Sequence, residues 1–211
     1  MARSTFRVYC AGPLFNRKEQ EEMAELADTL ERAGYSTFLP QRDGLELTKC
    51  IEHLLAQDFS LERASRLMSE AVFALDVYQV LNVCDAVVAN LNGRVPDEGA
   101  VSEVAMAWAR GKVVIGYKAD SRTAFEGQDN PLVAGLFQFR FCRSLDEVID
   151  ALSDALRTYA VHELPASREV EIGAHEALGE ELWSVLQTER DISRLVDVIV
   201  RHEANDTVGR V

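Results

Sequence analysis

Short apolar runs rich in Val, Phe and Tyr alternate along this chain with longer stretches in which apolar residues recur every three to four positions. Residues 6–11 (FRVYCA) form the first short run, cut by Gly12-Pro13, and predict a strand. Residues 17–33 carry Met23, Leu26, Ala27 and Leu30 at helical spacing, with Gly34 placed to end the helix. A second strand is predicted over 36–39, stopped by Pro40, and 45–82 is mostly helical with at least one break. Further strands are predicted over 85–91, 112–117 and 139–142, with helices over 99–110 and 144–159. Residues 166–169 are linker-like, and two more helices are expected over 176–187 and 192–202.

Strands alternating with helices imply βαβ units and a parallel sheet covered on both faces. The expected fold is a doubly wound α/β domain, Rossmann-like or flavodoxin-like, with a five-stranded parallel sheet over residues 1–160. A helical C-terminal extension over 161–211 follows it. In such sheets ligands sit at the carboxyl ends of the strands, which places function in the loops after Ala11, Leu39, Leu91 and Tyr117.

Charge removes several classes of partner. The 211 residues hold 22 Lys and Arg against 35 Asp and Glu, a formal charge of −13. A nucleic-acid binder needs a basic surface to displace counterions, so nucleic acid is not expected as a partner. An anionic membrane surface is disfavoured for the same reason, and no apolar run reaches the ~18–20 residues that span a bilayer. The first fifteen residues lack the apolar core and cleavage site of a signal peptide, so a cytoplasmic location is expected. Cys10, Cys50, Cys84 and Cys142 are far apart, and the four histidines show no ligand spacing. Neither a metal site nor a disulfide framework is expected.

The most informative segment is 95–110 (VPDEGAVSEVAMAWAR). From Gly99 to Trp108 only Ser102 and Glu103 are neither apolar nor small. A helix that is apolar nearly all round is buried, and a lone carboxylate in it is paired, neutralised or functional. The plain alternative is a glutamate on a solvent-facing edge. Asp97, six residues earlier, suits a helix N-cap, yet it also stands where a carboxylate could accept a hydrogen bond from a sugar hydroxyl. Asp76 is acidic among apolar neighbours (FALDVY), whereas Asp85 reads as structural, ending a turn before a strand. Tyr9 alternates away from Val8 and Cys10, near enough to the strand's carboxyl end for its hydroxyl to reach a carboxylate.

There is no G-x-x-x-x-G-K-[ST] loop, no G-x-G-x-x-G after the first strand and no G-x-S-x-G elbow. Several carboxylates without a phosphate cradle suit chemistry at an anomeric carbon, where one carboxylate attacks and a second group assists the leaving group.

At this point the residues resemble a known family. The run 8–15 (VYCAGPLF), Asp76, the motif Asp97-x-Gly99-x-x-x-Glu103, the run 111–114 (GKVV) and 130–133 (NPLV) resemble, in order and spacing, the nucleoside 2-deoxyribosyltransferases. The resemblance covers about residues 5–160. It implies a retaining double displacement without a cofactor, moving 2-deoxyribose between a 2′-deoxynucleoside and a free nucleobase. By the same resemblance Glu103 is the nucleophile at C1′, Tyr9 orients it, Asp97 binds the sugar hydroxyl and Asp76 stands by the leaving base. Phe15, Gln41 and Asp43 fall where the family lines its base pocket, and Gly99 joins them among the binding residues. Asn130 and Leu132 match a segment that completes the neighbouring subunit's site, which implies a homo-oligomer, a dimer or larger. Asp76 lies nine residues before Asp85, one more than the family spacing. Two alternatives stand beside this reading: an N-glycosidase acting on deoxynucleosides or their 5′-monophosphates, and a non-catalytic nucleoside-sensing module. Asp97 and Pro13-Leu14, where phosphate binders carry small hydroxyl residues, favour a nucleoside over a nucleotide.

Overall fold

The computed structural model describes residues 6–122, 129–161 and separate positions between 177 and 201. The chain divides into two compact units, Met1–His162 and Glu163–Val211. The first holds strands β1 (Arg7–Ala11), β2 (Ser36–Phe38), β3 (Ala86–Asn90) and β4 (Val113–Tyr117). Its helices are α1 (Arg17–Arg32), α2 (Pro40–Asp43), α3 (Leu47–Leu55), α4 (Leu61–Tyr78), α5 (Glu98–Ala109), α6 (Pro131–Leu136) and α7 (Leu145–Val161). A π-turn, Gln79–Val83, continues α4.

All four strands are parallel, in the order β2-β1-β3-β4. The chain runs outward from β1 to β2 and then crosses to β3, so the order reverses between β1 and β3. That switch point is where an open α/β sheet leaves a crevice. β1 supplies both cores by alternation. Val8 and Cys10 pack with Met23, Leu26 and Leu30 of α1 and Val148 and Leu152 of α7. Tyr9 and Ala11 pack on the other face with Ala100, Val104 and Ala107 of α5. Every residue of β3 is buried, as a central strand covered on both faces requires.

Local chemistry sets the helix ends. Asn16 Oδ1 accepts the Glu19 N–H at 3.1 Å to start α1. Gly34, at φ +94°, turns the chain out of it. The buried stripe of α1 is Met23, Leu26, Ala27 and Leu30, the residues singled out by spacing. Asp85 is structural as read: its Oδ2 accepts the Arg7 N–H at 2.7 Å. In the second unit the described positions, among them Leu182, Val185 and Val198, are helical, and Arg201 pairs with Glu181 at 3.1 Å. No helix among the described residues is long and apolar enough to cross a membrane.

The expected fifth strand over 139–142 is not formed as a strand. Gln138 and Phe139 sit at φ 52° and 59°, a left-handed turn that cannot propagate an extended run. Only Cys142 pairs with the sheet, accepting the Lys118 N–H and donating to the Gly116 carbonyl, both at 2.8 Å. The turn tucks Phe137 and Phe141 against β4, where a Cβ on Gly116 would meet Phe141 at 2.9 Å and Phe137 at 3.0 Å. Gly116→Ala is therefore expected to cost about 1–3 kcal/mol through overpacking. Thermal melting should register it as a drop of roughly 2–4 °C per kcal/mol.

Candidate active site

The carboxyl ends of β1 and β3 open into a cleft of about 540 Å³, a volume suited to a small ligand. Tyr9 stands at its base. The ring is fully buried and stacks on Phe38, with centroids 5.5 Å apart. Its hydroxyl donates to Glu103 Oε1 at 2.5 Å, joining β1 to α5. Glu103 shares one stripe of α5 with Gly99 and Ala100, and all three line the cleft. Asp97 caps this helix: its Oδ1 accepts the Ala100 N–H at 2.7 Å. A Cβ on Gly99 would lie 3.1 Å from that oxygen, so glycine leaves the capping carboxylate room.

Asp76 enters from the last turn of α4, together with Val72 and Leu75. In the π-turn that follows, the Cys84 N–H bonds to the Gln79 carbonyl at 2.9 Å, five residues back rather than four. A π-turn takes up one residue more than an α-helical turn, so the nine-residue spacing to Asp85 still leaves Asp76 facing the cleft.

These groups perturb one another. Burial pushes the Glu103 carboxyl up to about 7; the Tyr9 hydrogen bond opposes this, while the charges of Asp76 and Asp97 add to it. Burial also raises Asp76, again opposed by the Tyr9 hydroxyl. Tyr9 is raised above its ordinary value by burial and then by Glu103, so it remains a proton donor. The site thus holds a carboxyl that ionises near neutrality beside a second, partly desolvated carboxyl, and perturbed pairs of this kind cluster at functional sites.

Of the residues expected from sequence, Asp76, Asp97, Gly99, Glu103, Phe15 and Gln41 line the cleft, and Tyr9 stands behind Glu103. Asp43 is not among its lining residues. Its Oδ2 instead accepts the Leu39 N–H at 2.8 Å and the Arg42 guanidinium at 2.9 Å. Burial would raise its carboxyl, but Arg42 and the Leu39 N–H hold it below the usual range. It serves the turn that carries Gln41. Asn130 and Leu132 also lie outside the cleft: Asn130 caps α6 by accepting the Leu132 N–H at 2.9 Å, and Leu132 is 84% exposed. The sequence reading of the site passed over Pro40, Leu45, Leu47, Val72, Leu75 and Glu98. A signal existed for Val72 and Leu75, since a helix presenting residue 76 to a cleft also presents 72 and its flanks.

A family model described as nucleoside 2-deoxyribosyltransferase matches residues 8–137. The chain belongs to this family. No curated protein matches it. Among solved structures, a conserved protein from Enterococcus faecalis V583 superposes with a TM-score of 0.55 at 19% identity, covering 72% of this chain and 99% of that one. A 2-deoxyribosyltransferase from Bacillus psychrosaccharolyticus gives 0.49 at 16% identity, covering 68% and 90%. A CMP N-glycosidase from Clostridium botulinum gives 0.42 at 18% identity, covering 70% and 98%. At 19% identity the first of these is a likeness of fold alone.

Two outcomes follow from the electrostatics. The fold favours neutral Glu103, so its contribution to stability is full below the ordinary value of 4.5 and is lost as pH rises through about 7. Glu103→Gln should melt with wild type near pH 4 and above it at pH 8. Tyr9→Phe removes a hydrogen bond to a charged group, about 1.5–3 kcal/mol. Carboxyl-carbon NMR should then find the Glu103 titration moved upward by roughly 1–2 pH units.

Proposed function

We propose that this chain transfers 2-deoxyribose between nucleobases by a retaining double displacement in which Glu103 is the nucleophile. The observation that carries the reading is the Tyr9–Glu103 hydrogen bond at the base of the cleft. It fixes one carboxylate oxygen and leaves the other for C1′. Family membership supplies the class of chemistry, and the geometry supplies the division of labour.

Ionised Glu103 attacks C1′, the C1′–N bond breaks, and the departing base keeps the electron pair. Asp76, whose carboxyl is raised by burial, donates the proton that base requires. Asp97, its Oδ1 committed to the cap, offers Oδ2 to a sugar hydroxyl. An incoming base then gives its proton back to Asp76 and displaces Glu103, and two inversions make net retention. Leu14, Phe15, Pro40, Leu45 and Leu47 form the apolar wall suited to a planar base, with Gln41 as a polar group on it. Asn130 and Leu132, turned away from their own cleft, are read as reaching the site of a second copy, which makes the active form a homo-oligomer.

A nucleoside suits the cleft better than a nucleotide. Asp76, Asp97, Glu98 and Glu103 line it, and no Lys or Arg stands among the lining residues. A 5′-phosphate would enter a negative field in partly desolvated surroundings.

Incubating the protein with 2′-deoxyinosine, with and without adenine, tests the reaction. New 2′-deoxyadenosine should form only when adenine is present, and Glu103→Gln should abolish it by a factor of 10³ or more. Hypoxanthine released at one rate in both tubes would replace transfer with hydrolysis. Turnover retained by Glu103→Gln would remove the nucleophile assignment. With 2′-deoxyinosine 5′-monophosphate as donor, kcat/KM should be at least tenfold lower, about 1.4 kcal/mol of repulsion in the transition state.

A further inference from the structure

The loops after β3 and β4 are fastened to each other by side chains outside the cleft. Asn92 Oδ1 accepts the N–H groups of Ala119 and Asp120 at 2.9 and 3.0 Å. Asp120 Oδ2 accepts the Gly93 N–H at 3.2 Å, and the Leu91 N–H donates to the Tyr117 carbonyl at 2.8 Å. Between these two loops lies Lys118, only 1% exposed. Its Nζ is 2.5 Å from Asp129 Oδ1, on a side chain 9% exposed, and makes a longer contact of 3.4 Å with the Gly93 carbonyl. The Lys118 backbone is held as well: its N–H donates to the Cys142 carbonyl at 2.8 Å, and Arg143 Nη1 donates to its carbonyl at 2.9 Å.

Burying an ammonium and a carboxylate brings little assured stability, because drying two charges offsets most of their attraction. A dry ion pair does select geometry, since any displacement of its partners leaves a charge unpaired. The partners here are placed to matter. Gly93, at φ +112°, stands in the irregular stretch that leads to Asp97. Asp129 immediately precedes Asn130, the cap of α6.

We propose that Lys118 is a positioning residue of the active site: held by Asp129 and the Gly93 carbonyl, it fixes the loop between β3 and α5 so that Asp97 both caps α5 and meets the sugar. The part concerning the sugar rests on the function proposed above, whereas the part concerning the loop does not. Lys118→Met/Asp129→Leu replaces the pair by apolar groups of similar volume, an exchange that buried ion pairs often tolerate without loss of stability. Amide hydrogen exchange in this variant should quicken tenfold or more at Gly93 and at Ala100, whose N–H Asp97 caps, while Val88 in the core of β3 stays protected. Its kcat/KM for base exchange should fall at least tenfold. Adding Asp97→Ala should then cost less than a third, in fold-change, of what it costs the wild type, since Asp97 is already out of place. Asp129→Asn, which keeps an oxygen for Nζ without the charge, provides the readout if the paired variant does not fold. Exchange at Gly93 and Ala100 should quicken, and kcat/KM fall, about threefold. Wild-type exchange rates and kcat/KM in both variants, or in Asp129→Asn alone if the pair does not fold, would overturn the proposal. A wild type that transfers no sugar, combined with quickened exchange in the variants, would overturn the proposed function and leave the positioning role standing.

Discussion

A carboxyl group dried by its surroundings, and kept able to ionise by one phenolic hydroxyl, is the constraint around which this unit is arranged. The Tyr9–Glu103 hydrogen bond needs a tyrosine whose ring belongs to the core and whose hydroxyl reaches a carboxylate that lines the cleft. Only a central strand, covered on both faces, gives a ring that much cover. It needs the glutamate on a helix packed tightly against that strand, which the small residues Ala100, Val104 and Ala107 allow. The order β2-β1-β3-β4 then sets β1 beside β3, whose loop leads directly into α5. Sheet order, helix composition and the placing of one hydroxyl are thus one requirement seen at three scales.

That arrangement costs stability and returns reactivity. Burial raises the Glu103 carboxyl to about 7, so above that pH the fold holds a charge it would rather neutralise. The Tyr9 hydroxyl opposes the shift, and Asp76 and Asp97 reinforce it. In the proposed reaction this carboxylate is the nucleophile, and a weakly solvated carboxylate is a better attacking group than one in water. Burial raises the Asp76 carboxyl too, and the Tyr9 hydroxyl again opposes it. The cleft thus holds two carboxyls that burial makes reluctant to ionise and that share one phenolic hydroxyl.

Much of this was legible in the residues, and the exceptions have physical causes. The buried stripe of α1, the alternation of β1 and the apolar run Ala86–Ala89 of β3 announce themselves because period and burial agree. Glu103 stood out as an acidic residue in an apolar helix, and Asp97 as a cap, and the cap turned out to be real. The run 139–142 misled because its aromatic composition suits a strand, while Gln138 and Phe139 take a left-handed turn and Phe137 and Phe141 pack on Gly116. α6 went unread although Asn130-Pro131 is a cap followed by a proline at the first helical position, a signature that was available. Asp43 carries no mark distinguishing a side chain that lines a cleft from one that braces the turn behind it. Lys118 was invisible for a related reason, since its partners Gly93 and Asp129 lie 25 and 11 residues away.

The same distinction bears on how the cleft divides its work. The residues that line the cleft sit on elements whose ends are fixed by a second tier of side chains outside its lining. Asp43 and Arg42 brace the turn of Gln41; the π-turn sets the facing of Asp76; Lys118 and Asp129 brace the approach to Asp97. Each brace uses charge or an uncommon backbone geometry, where apolar packing would be cheaper and less directional. Apolar contact tolerates sliding, whereas an ion pair in a dry setting tolerates little. The proposed displacement, in which one carboxylate faces C1′ while another meets the departing base, would tolerate little as well. The expensive interactions are therefore found one layer behind the cleft, where position rather than stability is what they supply.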